Sequence, residues 1–312
     1  MKKHGILVLF ALVVLSLCLG ACQGATEDSS MQQKEIRKVL MIGSSYSYYY
    51  CDELYELAKA DGIEMRISNL YVSGGMMSQH YSQLTANNGI YDFITHHSAG
   101  KEEIKNATIT QALEADQWDL ITIQESYDPA YGITNPGDGE RTKNYVKKML
   151  AYLNENYPSA KIMWQQVWSK EVGYQGPYIK ENIDNNFVNV PEVSKVLSTE
   201  KQTQDYEMIR DCALDICKTF NLDRIPSGDA WQLARADERI GDTLCKKDKT
   251  HESEEGGGQY LNACVWYEVL TGNSCIGNTF RPHYDLSEEK ITVLQECAHK
   301  TVAAVYGADY AK

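Results

Sequence analysis

Gly43-Ser44-Ser45 closes the apolar run Lys38-Val39-Leu40-Met41-Ile42, and Asp248-Lys249-Thr250-His251 stands near the other end of the 312-residue chain. A short buried strand that runs into a tight turn can hold a serine hydroxyl at the carboxyl edge of a sheet. Ser45 is therefore the candidate nucleophile. Gly-Ser-Ser alone is ordinary turn chemistry, and it is the distant Asp-x-x-His that gives it meaning. A serine hydroxyl attacks poorly until a base takes its proton. His251 can serve as that base, and Asp248 can accept from the other ring nitrogen and stabilise the imidazolium. Three such groups perform acyl transfer.

Bringing residue 45 to residue 251 requires a scaffold. Asp52–Ala60 carries Leu54, Leu57 and Ala58 at helical spacing and stops at Gly62. Met65–Ser73 is extended and ends in Gly74-Gly75, Ile104–Ala115 reads as a helix, and Trp118–Gln124 reads as a buried strand with a polar exit. A helix over Lys143–Asn156 precedes a strand over Lys161–Trp168. Tyr206, Ile209, Ala213, Ile216 and Phe220 mark an amphipathic helix before a short strand around Arg224–Pro226, and Tyr260–Leu270 is an apolar helix. Strands alternating with helices of this length predict an α/β fold, a three-layer α/β/α sandwich with a mostly parallel central sheet. One domain over residues 37–312 is expected, with residues 169–198 inserted over one edge. In such a sheet the strand exits, here Ser45, Gly74-Gly75, Gln124 and Gln165-Gln166, converge on one crevice.

The first residues are set apart. Lys2 and Lys3 precede the apolar run Ile6–Leu19, which ends in Leu19-Gly20-Ala21-Cys22. That is the pattern of a bacterial lipoprotein signal over residues 1–21, with Cys22 as the lipidated first residue of the mature chain. Residues 22–36 are polar and aperiodic, a tether from membrane to domain. The expected location is the bacterial cell envelope, outside the cytoplasm. The net charge is −13, with no basic run, which excludes nucleic acid as a partner. Seven cysteines remain beyond Cys22, in no framework or paired metal signature, and read as small buried hydrophobes. His96-His97 lacks the further ligands a zinc site needs and reads as solvated loop. No metal or cofactor is expected.

The ordered blocks resemble the SGNH (GDSL-like) hydrolases, in particular a branch of secreted and lipoprotein members whose first block reads Gly-Asn-Ser-Phe-Thr. Gly43-Ser44-Ser45-Tyr46-Ser47 is similar to that block, with Ser44 in place of the usual Asn or Asp. Gly74-Gly75 with His80 resembles the second block, Trp118 to Ser126 with Gln124 the third, Ser227-Gly228-Asp229 a further shared turn, and Asp248-x-x-His251 the last. The resemblance implies a flavodoxin-like sandwich, a Ser45–His251–Asp248 triad, and an oxyanion hole from the Ser45 and Gly75 amides with the Gln124 side chain. It also implies small acyl groups, acetyl above all, on extracellular carbohydrate, with a lipid or another short-chain ester as the alternative substrate. His80 either lines the crevice or packs behind the second-block turn. Gln165 and Trp164 are candidate substrate contacts, since aromatic faces stack on sugar rings, although tyrosines and tryptophans also serve as packing. The competing expectation is a non-catalytic glycan-binding lipoprotein on the same scaffold.

Overall fold

The computed structural model describes residues 37–125, 138–175, 178–181, 187–190 and 197–312. The leader, Cys22, the tether and Ser126 lie outside these residues. Five parallel strands form the centre of a seven-stranded sheet: β1 (Lys38–Gly43), β2 (Arg66–Tyr71), β5 (Leu120–Ile123), β6 (Lys161–Gln165) and β9 (Asp223–Ile225). Two further strands, β3 (Tyr91–His97) and β4 (Gly100–Ala107), add antiparallel to the β2 edge, giving the order β4-β3-β2-β1-β5-β6-β9. The expected mostly parallel α/β sheet is present.

Central strands buried on both faces read as unbroken apolar runs, and β1 shows why. Val39 and Met41 join the core beneath helices α1 (Cys51–Ala60), α6 (Ser227–Ala236), α7 (Gly258–Thr271) and α8 (Glu288–Tyr306). Leu40 and Ile42 join the opposite core, beneath α2 (Met77–Ala86), α3 (Ile109–Glu114), α4 (Asp138–Asn156) and α5 (Thr199–Phe220). The chain runs from β1 to β2 on one side and then crosses back to β5 on the other. The gap between the exits of β1 and β5 is therefore the topological switch point, where such sheets bind ligands. Ser45 follows β1 and Gln124 follows β5.

Two expectations fail at the β3–β4 edge. Ile104–Ala115 is not one helix: its first residues belong to β4, and α3 starts at Ile109 behind a capping box made by Thr108 and Gln111. His96-His97 is not loop but the end of β3. His96 is buried and its Nδ1 lies 3.1 Å from Asp52. In the expected insertion, β7 (Tyr178–Glu181) and β8 (Phe187–Val190) pair antiparallel as a two-stranded sheet of their own. All seven cysteines beyond Cys22 are unpaired. Among the described residues no helix is long and apolar enough to cross a membrane, and no group of three acidic, histidine or cysteine side chains could hold a metal.

Candidate active site

Ser45 opens a single 3-10 turn, Ser45–Ser47, at the end of β1. Gly43 has to be glycine for the turn to close, because a Cβ there would stand 2.6 Å from Ser47 Oγ and 2.8 Å from Gln124 Cδ. Ser44 takes the capping position. Its Oγ accepts from Tyr46 N at 3.5 Å and from Gln124 Nε2 at 2.8 Å, while its carbonyl accepts from Ser47 N and Ser47 Oγ, both at 3.0 Å. The short hydroxyl in the first block is thus tied into the turn. Asn69, a buried amide in the middle of β2, donates to the Ser47 carbonyl at 2.8 Å and to Ser47 Oγ at 2.9 Å. Asn69, between Ser68 and Leu70 in a strand buried over its middle four residues, was the available signal for this brace.

Asp248 and His251 lie on the loop between α6 and α7. Asp248 Oδ1 accepts from the backbone N–H of Thr250 at 2.8 Å and of His251 at 2.9 Å, which curls the loop around the carboxylate. Asp248 Oδ2 lies 2.7 Å from His251 Nδ1, and His251 Nε2 lies 2.9 Å from Ser45 Oγ. A carboxylate can only accept, so the proton sits on Nδ1 and Nε2 is left to accept from the serine hydroxyl. Partial burial pushes the Asp248 pKa up, but the bonds from His251 and Thr250 outweigh it and the carboxyl is held below its ordinary value. The sequence-predicted Ser45, His251 and Asp248 are brought together in one relay at the switch point.

A family model described as "Domain of unknown function (DUF4886)" matches residues 38–301, from the first residue of β1 into α8. The chain belongs to the DUF4886 family. It is similar to the crystal structure of a DUF4886 family protein from Bacteroides uniformis, at 26% identity over 88% of this chain and 97% of that one, with a TM-score of 0.69. It is also similar to a candidate SGNH hydrolase from Slackia heliotrinireducens, at 16% identity over 75% of this chain and 98% of that one, TM-score 0.47. A third likeness is to a catalytic mutant of an acetylxylan esterase from Geobacillus stearothermophilus, at 12% identity over 75% and 94%, TM-score 0.42. Comparison with curated proteins gives no match.

Of the other expected site residues of this DUF4886 protein, His80, Trp164 and Gln165 are buried. His80 is fully buried. Its Nδ1 lies 3.1 Å from the Tyr91 hydroxyl, the two rings stack, and burial pushes its pKa down to about 4. A Cβ on Gly75 would sit 2.9 Å from His80 Nε2, so the glycine exists to let His80 pack behind the turn. Gly75 N–H donates to the Val72 carbonyl at 3.0 Å. It is thereby spent within the turn, and among the described residues it is Gly74, at φ +63°, whose N–H meets no acceptor. Trp164 lies wholly in the core, and Gln165 donates to the Tyr46 carbonyl at 2.7 Å. Both are buried at the end of β6. Gln124 is buried and donates one amide N–H to Ser44 Oγ, while its Oε1 has no partner among the described residues.

Residues that the sequence alone did not assign tie the two halves of the relay. Trp168 is fully buried and stacks on Trp231 with centroids 4.4 Å apart. Its indole N–H donates to the Thr250 carbonyl at 3.0 Å, and its ring meets Tyr46 edge-on at 4.9 Å. One side chain thus touches the residue after Ser45 and the residue before His251. Lys249 Nζ pairs with Glu171 at 2.9 Å, and Glu171 N–H donates to the Lys249 carbonyl at 2.9 Å, which fastens the same loop from outside. The first residues of the expected insertion therefore brace the His251 loop. Glu125 accepts from Met77 N at 3.1 Å and so caps α2 beside the second-block turn.

Proposed function

We propose that this DUF4886 protein is an SGNH-type serine esterase that removes small acyl groups, acetyl above all, from extracellular carbohydrate. The observation that carries this reading is the relay Ser45 Oγ–His251 Nε2–His251 Nδ1–Asp248, at 2.9 and 2.7 Å. Ser45 Oγ attacks the acyl carbon as its proton passes to His251 Nε2, and Asp248 stabilises the imidazolium. The Ser45 N–H, which meets no acceptor among the described residues, receives the oxyanion together with the Gly74 N–H and the second amide N–H of Gln124. His251 returns the proton to the departing sugar oxygen, leaving the acyl group on Ser45. A water that gives its proton to His251 then attacks the acyl carbon, releasing acid and free Ser45. In this reading the Lys2-Lys3 and Leu19–Cys22 pattern places the domain outside the cytoplasm on a lipidated Cys22.

The test is acetate release from O-acetylated oligosaccharides and from a chromogenic acetate ester, comparing the wild-type chain with Ser45→Ala. Release that disappears in the variant is expected; equal rates would end the proposal.

Trp168 provides a second measurement. Trp168→Phe keeps an aromatic ring against Trp231 and Tyr46 but removes the indole donor to the Thr250 carbonyl. Losing this partly buried hydrogen bond costs about 0.5–1.5 kcal/mol, and a loop that relaxes displaces His251. We expect kcat to fall about tenfold with KM unchanged, since misplacing a reacting group lowers the chemical step rather than binding. Steady-state kinetics alongside a thermal midpoint checks this; loss of stability with kcat intact would make Trp168 purely structural.

A further inference from the structure

Lys249 stands between Asp248 and His251 in a backbone conformation that lysine rarely takes. Among the described residues, four that are not glycine have a left-handed φ: Asn87 at +47°, Asn106 at +55°, Asn221 at +53° and Lys249 at +59°. Three of them are asparagine, whose short amide tolerates that region, and Asn87 and Asn221 close helices α2 and α5. Lysine has no such tolerance, because its Cβ crowds the carbonyl oxygen that follows it. A residue strained in this way persists only where its surroundings impose the strain, and such residues cluster at functional sites.

The bonds around Lys249 define what its conformation does. Lys246 N–H donates to the His251 carbonyl at 2.7 Å and Lys249 N–H to the Lys246 carbonyl at 2.8 Å, so the loop is a closed reversal that turns at Lys249. The left-handed step sends the chain back over Asp248, where the Thr250 and His251 N–H groups reach Oδ1 at 2.8 and 2.9 Å. Those two bonds aim the other oxygen, Oδ2, at His251 Nδ1, 2.7 Å away.

Residues 171 and 172 impose the strain. Lys249 Nζ donates to Glu171 Oε1 at 2.9 Å and to the Val172 carbonyl at 3.0 Å, and the Lys249 carbonyl accepts from Glu171 N–H at 2.9 Å. That segment is fixed from behind. Asp242 accepts from Val172 N–H and from Arg235 Nε, both at 2.7 Å, and the buried Arg235 guanidinium donates to the Ser169 carbonyl and to Ser169 Oγ, both at 2.8 Å. The acceptors of the lysine ammonium are thus held rigidly enough to pull on it.

We propose that Lys249 is a positioning residue: the grip of Glu171 and Val172 on its ammonium holds its backbone left-handed, and that turn sets Asp248 against His251. The proposal rests on the esterase reading for its effect on turnover but not for the geometry of the Asp248–His251 pair. Glycine adopts the same φ unaided. Removing the grip therefore matters only while residue 249 carries a Cβ.

The test compares the full chain carrying Lys249→Met, Lys249→Gly or Glu171→Met with wild type. The readouts are kcat and KM for a chromogenic acetate ester, thermal midpoints, and the tautomer of His251 from its ring ¹⁵N shifts at alkaline pH, assigned with His251→Ala. The two methionine variants break the same ion pair from opposite ends, so a folding failure in one leaves the other. Each is expected to lower kcat about tenfold at unchanged KM and to turn a ring held as the Nδ1–H tautomer into a mixture. Lys249→Gly lacks the grip just as completely, yet is expected to keep the Nδ1–H tautomer and a kcat within about threefold of wild type. A loss in Lys249→Gly as large as in Lys249→Met, unchanged kcat and tautomer in the methionine variants, or a wild-type ring not held as Nδ1–H overturns the proposal. If the tautomers follow the expected pattern while the wild-type chain releases no acetate, the positioning role stands and the esterase reading falls.

Discussion

His251→Ala is expected to lower kcat for an acetate ester by about 10⁴-fold or more, matching Ser45→Ala, and the double variant is expected to be no worse than either. The reason is that the hydroxyl and the imidazole act as one unit: without Nε2 at 2.9 Å the serine keeps its proton, and without Oγ the imidazole has nothing to activate. Costs of groups that act together do not add. Asp248→Asn should leave the loop curled, because an amide oxygen can still accept from the Thr250 and His251 backbone, yet the amide N–H would face Nδ1 and impose the wrong tautomer. Steady-state rates of the four proteins decide this. A double variant that loses the sum of the two single losses would mean that Ser45 and His251 contribute independently, and the relay would be wrong.

Glu252→Gln is expected to make the protein more stable at pH 8.5 and to flatten the dependence of stability on pH. Glu252 follows His251, is fully buried, and has no hydrogen-bond partner for either side-chain oxygen among the described residues. Burial pushes its pKa up to about 8, Lys246 pulls it down, and the charges of Glu53 and Asp248 push it further up. Glu53, also raised by burial, to about 7, titrates in the same direction. Because the folded pKa exceeds the unfolded one, there is no difference below about pH 4. From there to about pH 8 the native state holds a proton that the unfolded chain has released, so stability falls as pH rises. Above pH 8 the full penalty remains, on the order of 5 kcal/mol for Glu252. Urea unfolding at pH 5.5 and 8.5 reads both ends; an unchanged slope in the variant would show that Glu252 ionises normally.

The relay was legible in the sequence because each member sits where local chemistry announces it: Ser45 after an apolar strand and glycine, Asp248 and His251 three apart before a glycine turn. The sheet was legible for the same reason, as strands buried on both faces are unbroken apolar runs. What stayed hidden depends on neighbours distant in sequence. Ile104, Ala107 and Ala112 imitate a helical stripe, but β4 is an edge strand exposed along most of its length, so no alternation betrays it. Thr108 and Gln111, the capping pair that ends the ambiguity, lay in plain view. His80 and Trp164 looked like crevice residues because a strand exit or a block motif says nothing about depth, and their burial comes from Tyr91 and from the second core. Trp168 could be read as an aromatic but not as a clamp, since its partner carbonyl at Thr250 is 82 residues away.

The hydrogen bond between Ser45 and His251 closes a span of 206 residues. A contact between residues so far apart pays off only after the intervening strands have paired, which places it among the slowest to form. Ser45 and His251 therefore meet late, when β5, β6 and β9 have joined β1 and the loop held by Trp168 has docked. An emerging or partly folded chain would carry a serine no more reactive than any other, so, on the proposed esterase reading, the gain of turnover during refolding would time the last step of assembly rather than the first collapse.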